Sequence, residues 1–294
     1  MPWLFDYHEN LVQAADFLSP VLGPDTDQAR RGTWWLQNNR RDDISHPGQT
    51  VPLDAAHAAS FNLKWFLLPQ PETPSVPTAL VYHATGVGAL FARSSWDTGA
   101  SWLAFVAGKF DQSHAHEDQG SFTLFKNDWL AVTPNVWSHS GIHQEVDVHN
   151  VIRFVRSGST IEQNRSDSVQ STMTYATDGS GAVTVHADLA NAYSNNAGAV
   201  LSWTRDLVFN GSSLRVHDAC SVAFDVQPIF QLQVPTQPVL QPDGSLQAGA
   251  LRIVALQPVT VNIVSLASAE FSQGYRIEFI VNTGCTFDVE LQTP

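Results

Sequence analysis

The chain has 294 residues, of which 43% are hydrophobic and only 15% are charged. Twenty-eight acidic residues against fifteen basic ones give a net charge of −13, and such a surface repels nucleic acid and anionic membranes. No run of about eighteen apolar residues occurs, and the N-terminal residues lack the basic start and apolar segment of a signal peptide. The composition therefore predicts a globular protein that binds no nucleic acid and does not span a membrane.

The chain contains two cysteines, Cys220 and Cys285. Two are too few for a disulfide framework or for a zinc site made of thiolates. They could pair if the fold brought them together, and the sequence leaves that question open.

Residues 1–67 are predicted to be helical. Apolar residues recur near helical spacing up to Pro20, which ends the pattern. Capping residues at 25–27 indicate the start of a second helix, and an alanine-rich segment at 54–67 indicates a third. The next segment, 68–79, contains four prolines and predicts an extended connector between two domains.

From residue 80 to the end, apolar residues alternate with polar ones, and Gly, Asn and Asp mark turns between short segments. Many short strands with almost no helix between them predict a large antiparallel β-sandwich, so the fold class is mainly β, preceded by a short α-helical segment. The predicted strands are Ala89–Ser94, Trp102–Ala107, Ser121–Lys126, Val151–Arg156, Val183–Ala187, Leu201–Val208, Ser213–Ala219, Ile229–Val234, Leu251–Leu256, Thr260–Ser265, Tyr275–Val281 and Thr286–Leu291.

A histidine-rich stretch between residues 113 and 153 is the strongest functional signal. Two of its histidines stand at i and i+2, where an extended strand would point both imidazoles to one face. Asp118 and Gly120 follow at the same parity. Neutral imidazole is a common zinc ligand, so the stretch predicts a metal or catalytic site. Five of the chain's eleven histidines lie here: His114, His116, His139, His143 and His149.

The motifs around this stretch resemble the β-sandwich domain of the heparinase II/III-like polysaccharide lyases. The similarity extends over roughly residues 80–156. It consists of an R-SSW strand, an apolar strand ending in glycine, an HxHxDxGxF run and a later His-Asn pair. These motifs fall on Arg93-Ser94-Ser95-Trp96, Gly108, His114, His116, Asp118, Gly120, Phe122, His149 and Asn150.

The resemblance implies a periplasmic or secreted lyase that cleaves uronate-containing, anionic polysaccharides by β-elimination. In that family a helical toroid precedes the sandwich, and the active cleft lies between them. Carried over residue by residue, the resemblance makes His114 the substrate-facing group. It makes His116 and His149 ligands of a structural zinc ion.

The sequence departs from the family pattern at two places. The aspartate that ends the strand after the HxH run corresponds to Thr133, which is a poor zinc ligand. Asp118, His139 or His143 could complete the metal shell. A tyrosine is also expected before the His-Asn pair, but none occurs between residues 82 and 175.

Substrate contacts are expected from cationic and aromatic side chains near the histidines. Arg93 or Lys109 could bind the uronate carboxylate, and Trp137, in an irregular loop, could stack on a sugar ring. The sequence assigns no base or acid for the proton transfers.

Two other functions remain open. A chain with so short a helical part and no tyrosine in the expected region could be a non-catalytic carbohydrate-binding or structural module. A cupin-like metal enzyme is the second alternative, because Gly108 precedes His114-Ala115-His116 at the right spacing. The glutamate that a cupin motif needs after the second histidine is replaced by Gly120 or Ser121.

Overall fold

The computed structural model describes residues 21–39, 73–110, 114–140 and 143–293. The chain divides into two compact units, residues 1–78 and 79–294. No helix among the described residues is long and apolar enough to cross a membrane.

In the described part of the first unit, residues 21–22 are helical and the helix α1 extends over Asp27–Asn39. The hydroxyl of Thr26 accepts a hydrogen bond from the Ala29 N–H at 3.3 Å, so the predicted capping segment does precede this helix. The side chains of α1 after residue 35 lie outside the described residues. The predicted helices before Pro20 and at 54–67 also lie outside them.

The second unit is built from antiparallel strands, which confirms the predicted fold class. The strands are β1 (Val81–Ala84), β2 (Ala89–Arg93), β3 (Trp102–Val106), β4 (Phe122–Lys126), β5 (Asp128–Ala131), β6 (Ile152–Arg156), β7 (Ser159–Thr160), β8 (Thr172–Thr177), β9 (Val183–Asp188), β10 (Val200–Phe209), β11 (Ser213–Val222), β12 (Val226–Val234), β13 (Pro238–Leu240), β14 (Leu246–Ala248), β15 (Leu251–Ala255), β16 (Thr260–Ser265), β17 (Tyr275–Ile280) and β18 (Thr286–Gln292).

These strands form three sheets. Sheet A has the order β1-β2-β3-β4-β5, sheet B the order β13-β14-β15-β18-β11-β10-β9-β8, and sheet C the order β16-β17-β12-β6-β7. The Val132 N–H, directly after β5, donates to the Gln233 carbonyl of β12 at 3.1 Å, so sheets A and C meet there. One continuous hydrophobic core includes side chains from all three sheets.

The predicted strands are all present, with small shifts at their ends. Strand β12 begins at Val226 rather than Ile229, for example. The sequence missed β1, β5, β7, β8, β13 and β14, which are short or, as in β8, mostly exposed. A strand of two to four residues is too short to show a period of two, and an exposed strand such as β8 has no buried apolar face to produce one.

The two cysteines pair. Cys220 in β11 and Cys285 just before β18 form a disulfide with a Cα–Cα distance of 5.0 Å. The bond joins neighbouring elements of sheet B and answers the question that the sequence left open.

Candidate functional site

The HxHxDxG run lies in a loop between β3 and β4, and we call residues 114–121 the histidine loop. The sequence predicted that the imidazoles of His114 and His116 point to the same face of a strand. This prediction is wrong, because residues 114–121 are not in a strand. His114 is exposed, whereas His116 is partly buried.

Alternate residues of the histidine loop tie it to the rest of the protein. The buried carboxylate of Glu117 accepts from the Arg165 Nε at 2.6 Å and from the Val146 N–H at 3.1 Å. The buried amide of Gln119 accepts from the N–H and the hydroxyl of Ser171 at 3.0 and 2.5 Å. The loop is therefore held firmly, and its histidines occupy defined positions.

Gly120 closes the loop where only glycine fits. Its φ is +89°, and a Cβ there would lie 2.6 Å from the Trp203 ring and 2.7 Å from Leu189 Cδ1. The glycine of the motif thus serves the close approach of the loop to sheet B.

His149 reaches the histidine loop from a second segment. It follows a short 3-10 helix at Val146–Val148 and precedes β6. Its neighbour Asn150 donates through Nδ2 to the Phe122 carbonyl at 2.8 Å and accepts from the Gln233 N–H at 2.6 Å. The asparagine of the His-Asn pair therefore links β4 to β12 and fixes the backbone that carries His149.

A buried ion pair in sheet B, which we call the brace, holds both segments. Arg205 and Asp218, both 0% exposed, face each other on β10 and β11 and form a bidentate pair at 2.9 and 2.8 Å. Arg205 Nη1 also donates to the carbonyls of Gly120 at 2.5 Å and of Asn150 at 2.7 Å. One guanidinium thus fixes the end of the histidine loop and the residue after His149.

Sequence reasoning missed the brace, although a signal was present. In β10 the inward positions read Trp203, Arg205 and Leu207, so an arginine falls on the core face. Asp218 falls on the core face of β11 in the same way. Opposite charges at inward positions of consecutive strands predict a buried pair, because each would otherwise be an uncompensated charge.

The brace places His116 and His149, the histidine pair, side by side. His116 Nδ1 lies 3.1 Å from His149 Nε2, and the ring centroids are 5.1 Å apart. Burial, and secondarily His116, lowers the pKa of His149 to about 3, and burial lowers the pKa of His116 against the opposing effect of Glu145. Both imidazoles are therefore neutral near pH 7, which is the form that binds metals.

The separation of the two nitrogens fits two ligands of one ion. Tetrahedral zinc with Zn–N bonds of about 2.0–2.1 Å separates its nitrogen ligands by roughly 3.3 Å. The 3.1 Å distance equally suits one imidazole donating to the other. The geometry is thus compatible with a metal and does not require one.

Four side chains were candidates for a third metal ligand: Thr133 at the position of the family aspartate, Asp118, His139 and His143. The Thr133 hydroxyl accepts from the Asn135 N–H at 3.3 Å and caps the 3-10 helix Pro134–Trp137. Burial raises the pKa of Asp118 to about 7, which works against an ionised ligand there. His139 is exposed. Among the described residues, no three His, Cys, Asp or Glu side chains form a group that could hold a metal ion.

The loop carrying Trp137 is anchored by a carboxylate from another segment. Glu270 accepts from the Ser138 hydroxyl and from the N–H and hydroxyl of Ser140 at 3.1 and 2.7 Å. These bonds hold the pKa of Glu270 well below its usual range. His143 Nε2 lies 3.2 Å from the same carboxylate. Trp137 itself is partly exposed on this loop.

Of the two predicted carboxylate-binding cations, Arg93 lies at a distance from the histidine loop. Arg93 of β2 is paired with Trp102, the first residue of β3. The chain continues toward the histidine loop from Val106, at the other end of β3. Four residues of strand separate these ends by roughly 13 Å. Lys109 forms a backbone bridge with Gln170.

Structural comparison finds a similar fold in solved structures of heparan sulfate lyase and heparinase III. The chain superposes on the heparan sulfate lyase HepC from Pedobacter heparinus with a TM-score of 0.57 and 16% identity, covering 75% of this chain and 37% of that one. A heparinase III structure matches with a TM-score of 0.56 and 14% identity over 91% of this chain and 41% of that one. Another heparinase III structure matches with a TM-score of 0.57 and 13% identity, covering 75% of this chain and 37% of that one.

These similarities concern the fold, because every identity is low. The chain spans about two fifths of the length of the lyase structures it matches. No family model and no curated protein matches the sequence.

Proposed function

We propose that the chain is a polysaccharide lyase-like protein that acts on an uronate-containing, anionic polysaccharide by β-elimination. The observation that carries the proposal is the firmly held histidine loop, which exposes His114 and packs His116 against His149 on a lyase-like fold. The fold supports the class of protein, and the histidines support the position of the site.

The reaction removes the proton at C5 of a uronate and breaks the bond from C4 to the glycosidic oxygen. The C–H electrons form the C4–C5 double bond, and the departing oxygen takes a proton. A group that neutralises the carboxylate makes the carbanion-like transition state accessible. We assign this role to His114, which is exposed beside the anchored pair and can donate a hydrogen bond to the carboxylate. We assign the base and the acid to no described residue.

The test is turnover of alginate or heparin, followed by the ultraviolet absorbance of the unsaturated product. His114→Ala should lower kcat by roughly a hundredfold, about 3 kcal/mol, because one preorganised donor is lost. His186→Ala, which removes another exposed histidine from β9, is the control and should leave the rate unchanged. A rate that is unaffected by His114→Ala would place the chemistry elsewhere.

The turnover of this chain alone is expected to be weak. The chain carries threonine at position 133 and no tyrosine between residues 82 and 175. These same observations favour a second candidate, a non-catalytic carbohydrate-binding module. Polymer binding with no product at any enzyme concentration would support that second function.

For the metal, we propose that His116 Nδ1 and His149 Nε2 are the two protein ligands of a zinc ion. Zinc would cross-link the histidine loop to the segment before β6 and so orient His114; no step of the reaction is assigned to it. Two ligands make an open shell, so the affinity should be lower than in closed structural sites.

Zinc titration against a chromophoric chelator tests the metal proposal. His116→Ala and His149→Gln should each weaken binding by more than about tenfold, whereas His139→Ala should not. Zinc binding at one ion per chain that survives both substitutions at the pair would refute it.

A periplasmic or secreted location is part of the proposal. The Cys220–Cys285 disulfide supports it, because such bonds persist in oxidising compartments and are rare in reducing ones.

A further inference from the structure

The outer face of sheet A carries aromatic side chains that the proposed chemistry does not use. In β2, β3 and β4, the side chains of Leu90, Leu103 and Leu124 point to the core. The residues on either side of each leucine in its strand point outward. The side chains of Trp102 and Trp129 on this outward face are 46% and 37% exposed. Large aromatic side chains left partly exposed on one face of a sheet indicate an interaction surface.

These side chains form one continuous row, which we call the tryptophan array. The ring centroids of Trp102 and Phe125 are 5.7 Å apart, and those of Phe125 and Trp129 are 5.2 Å apart. The guanidinium carbon of Arg93 lies 4.6 Å from the Trp102 ring and 3.9 Å from the Trp96 ring. The order across the sheet is therefore indole, guanidinium, indole, phenyl, indole.

The row is held in place by its own contacts. Arg93 Nε donates to the Ser95 carbonyl at 2.6 Å, and the Trp96 Nε1 donates to the Ala79 carbonyl at 3.2 Å. Stacked between two indoles, the guanidinium keeps one orientation and loses little freedom when a ligand binds. The array is thus preorganised.

We infer that the tryptophan array is a binding surface for an extended anionic polysaccharide, separate from the histidine site. The apolar face of a sugar ring stacks on an indole, and Arg93 can donate to a carboxylate from its fixed fork. Trp102 and Trp129 belong to strands two apart, which is roughly 10 Å and long enough for consecutive sugar rings.

The chemistry of the row fits an acidic sugar. Tryptophan and arginine are also enriched at protein interfaces, so a protein partner is one of the outcomes that the test distinguishes. Here the cation lies inside the row, between two indoles, where an acidic sugar can meet it. The chemical class of the ligand agrees with the proposed function, but the argument uses none of the histidines.

Affinity electrophoresis of the full 294-residue chain through gels containing alginate or heparin tests this inference. Trp102→Ala/Trp129→Ala should weaken retardation by about tenfold or more, because both outer stacking faces are removed. Trp102→Tyr/Trp129→Tyr keeps flat rings and should retain most of the binding. Phe224→Ala, which removes a fully exposed ring elsewhere, is the matched control and should bind as the parent does.

Arg93→Gln separates stacking from charge. It should weaken retardation by both acidic polymers, and added salt should then have a smaller effect on what binding remains. Near-ultraviolet circular dichroism verifies that each variant is folded. The readout is binding, so a failure of His114-dependent turnover leaves this inference untouched.

Two outcomes would overturn it. One is a folded double alanine variant that is retarded as strongly as the parent in both gels. The other is unchanged retardation accompanied by a change in oligomeric state on sizing chromatography, which would make the array a protein interface instead.

Discussion

At the scale of single residues, the brace shows how one charged side chain can position a site it does not enter. Arg205 is buried, is paired with Asp218 and donates to two backbone carbonyls from different segments. A buried charge that loses its partner is far more costly than the pair is worth. The brace should therefore contribute strongly to stability and to the geometry of the histidine pair.

Arg205→Met should lower the free energy of unfolding by about 3–5 kcal/mol, because it leaves Asp218 as a buried, unpaired charge. Urea denaturation measures this loss. The matched control is Arg215→Met on β11, whose bidentate pair with Asp288 is at the surface and should cost at most about 1 kcal/mol.

A double variant separates stability from positioning. Arg205→Met/Asp218→Asn removes both charges and keeps an acceptor for the Trp203 Nε1, so part of the lost stability should return. The contacts to the Gly120 and Asn150 carbonyls stay absent, so the imidazole NMR signals of His116 and His149 should still differ from those of the parent. Parent-like signals would show that the brace supports the core alone.

At the scale of elements, strands were predictable and the site loop was not. Strands such as β9, in which buried and exposed residues alternate, can be predicted from the sequence because each inward side chain is apolar. The histidine loop also alternates, but its anchored residues Glu117 and Gln119 are polar and bind other loops. In the histidine loop, the buried residues alternate because they form hydrogen bonds to distant segments. Apolar periodicity in the local sequence cannot reveal such bonds.

The candidate site was therefore predictable in part. The HxH run and the His-Asn pair name the two residues that the structure places 3.1 Å apart. Arg93 could not be located, because its motif fixes a strand and does not say which end or face of the sheet it occupies. The sequence also could not show that Trp102 and Trp129 are exposed, since the outward face of a strand pair is known only once the sheet is built.

The disulfide is an element-scale restraint, since it ties β11 to the connection between β17 and β18. Cys220→Ser/Cys285→Ser should destabilise the protein by about 2–4 kcal/mol, because the bond closes a loop with a sequence separation of 65. Thermal unfolding with and without a reductant measures the effect. The double variant should be insensitive to reductant, and a parent that is equally insensitive would contradict a stabilising role.

At the scale of the whole molecule, the β-sandwich unit carries two features on different surfaces. The histidine pair lies where sheets A and C approach sheet B, and the tryptophan array lies on the outward face of sheet A. A polymer could contact both, so the two proposals are compatible while resting on different residues.

The brace also has a consequence for the order in which the molecule folds. Arg205 contacts Gly120 and Asn150, which lie 85 and 55 residues away in sequence. Contacts of such long range form only after the intervening chain has been closed into loops, and they are slow to form. We therefore expect the histidine pair to be assembled late, after the sheets have docked, so that a partly folded chain with every strand but without this contact would lack the site.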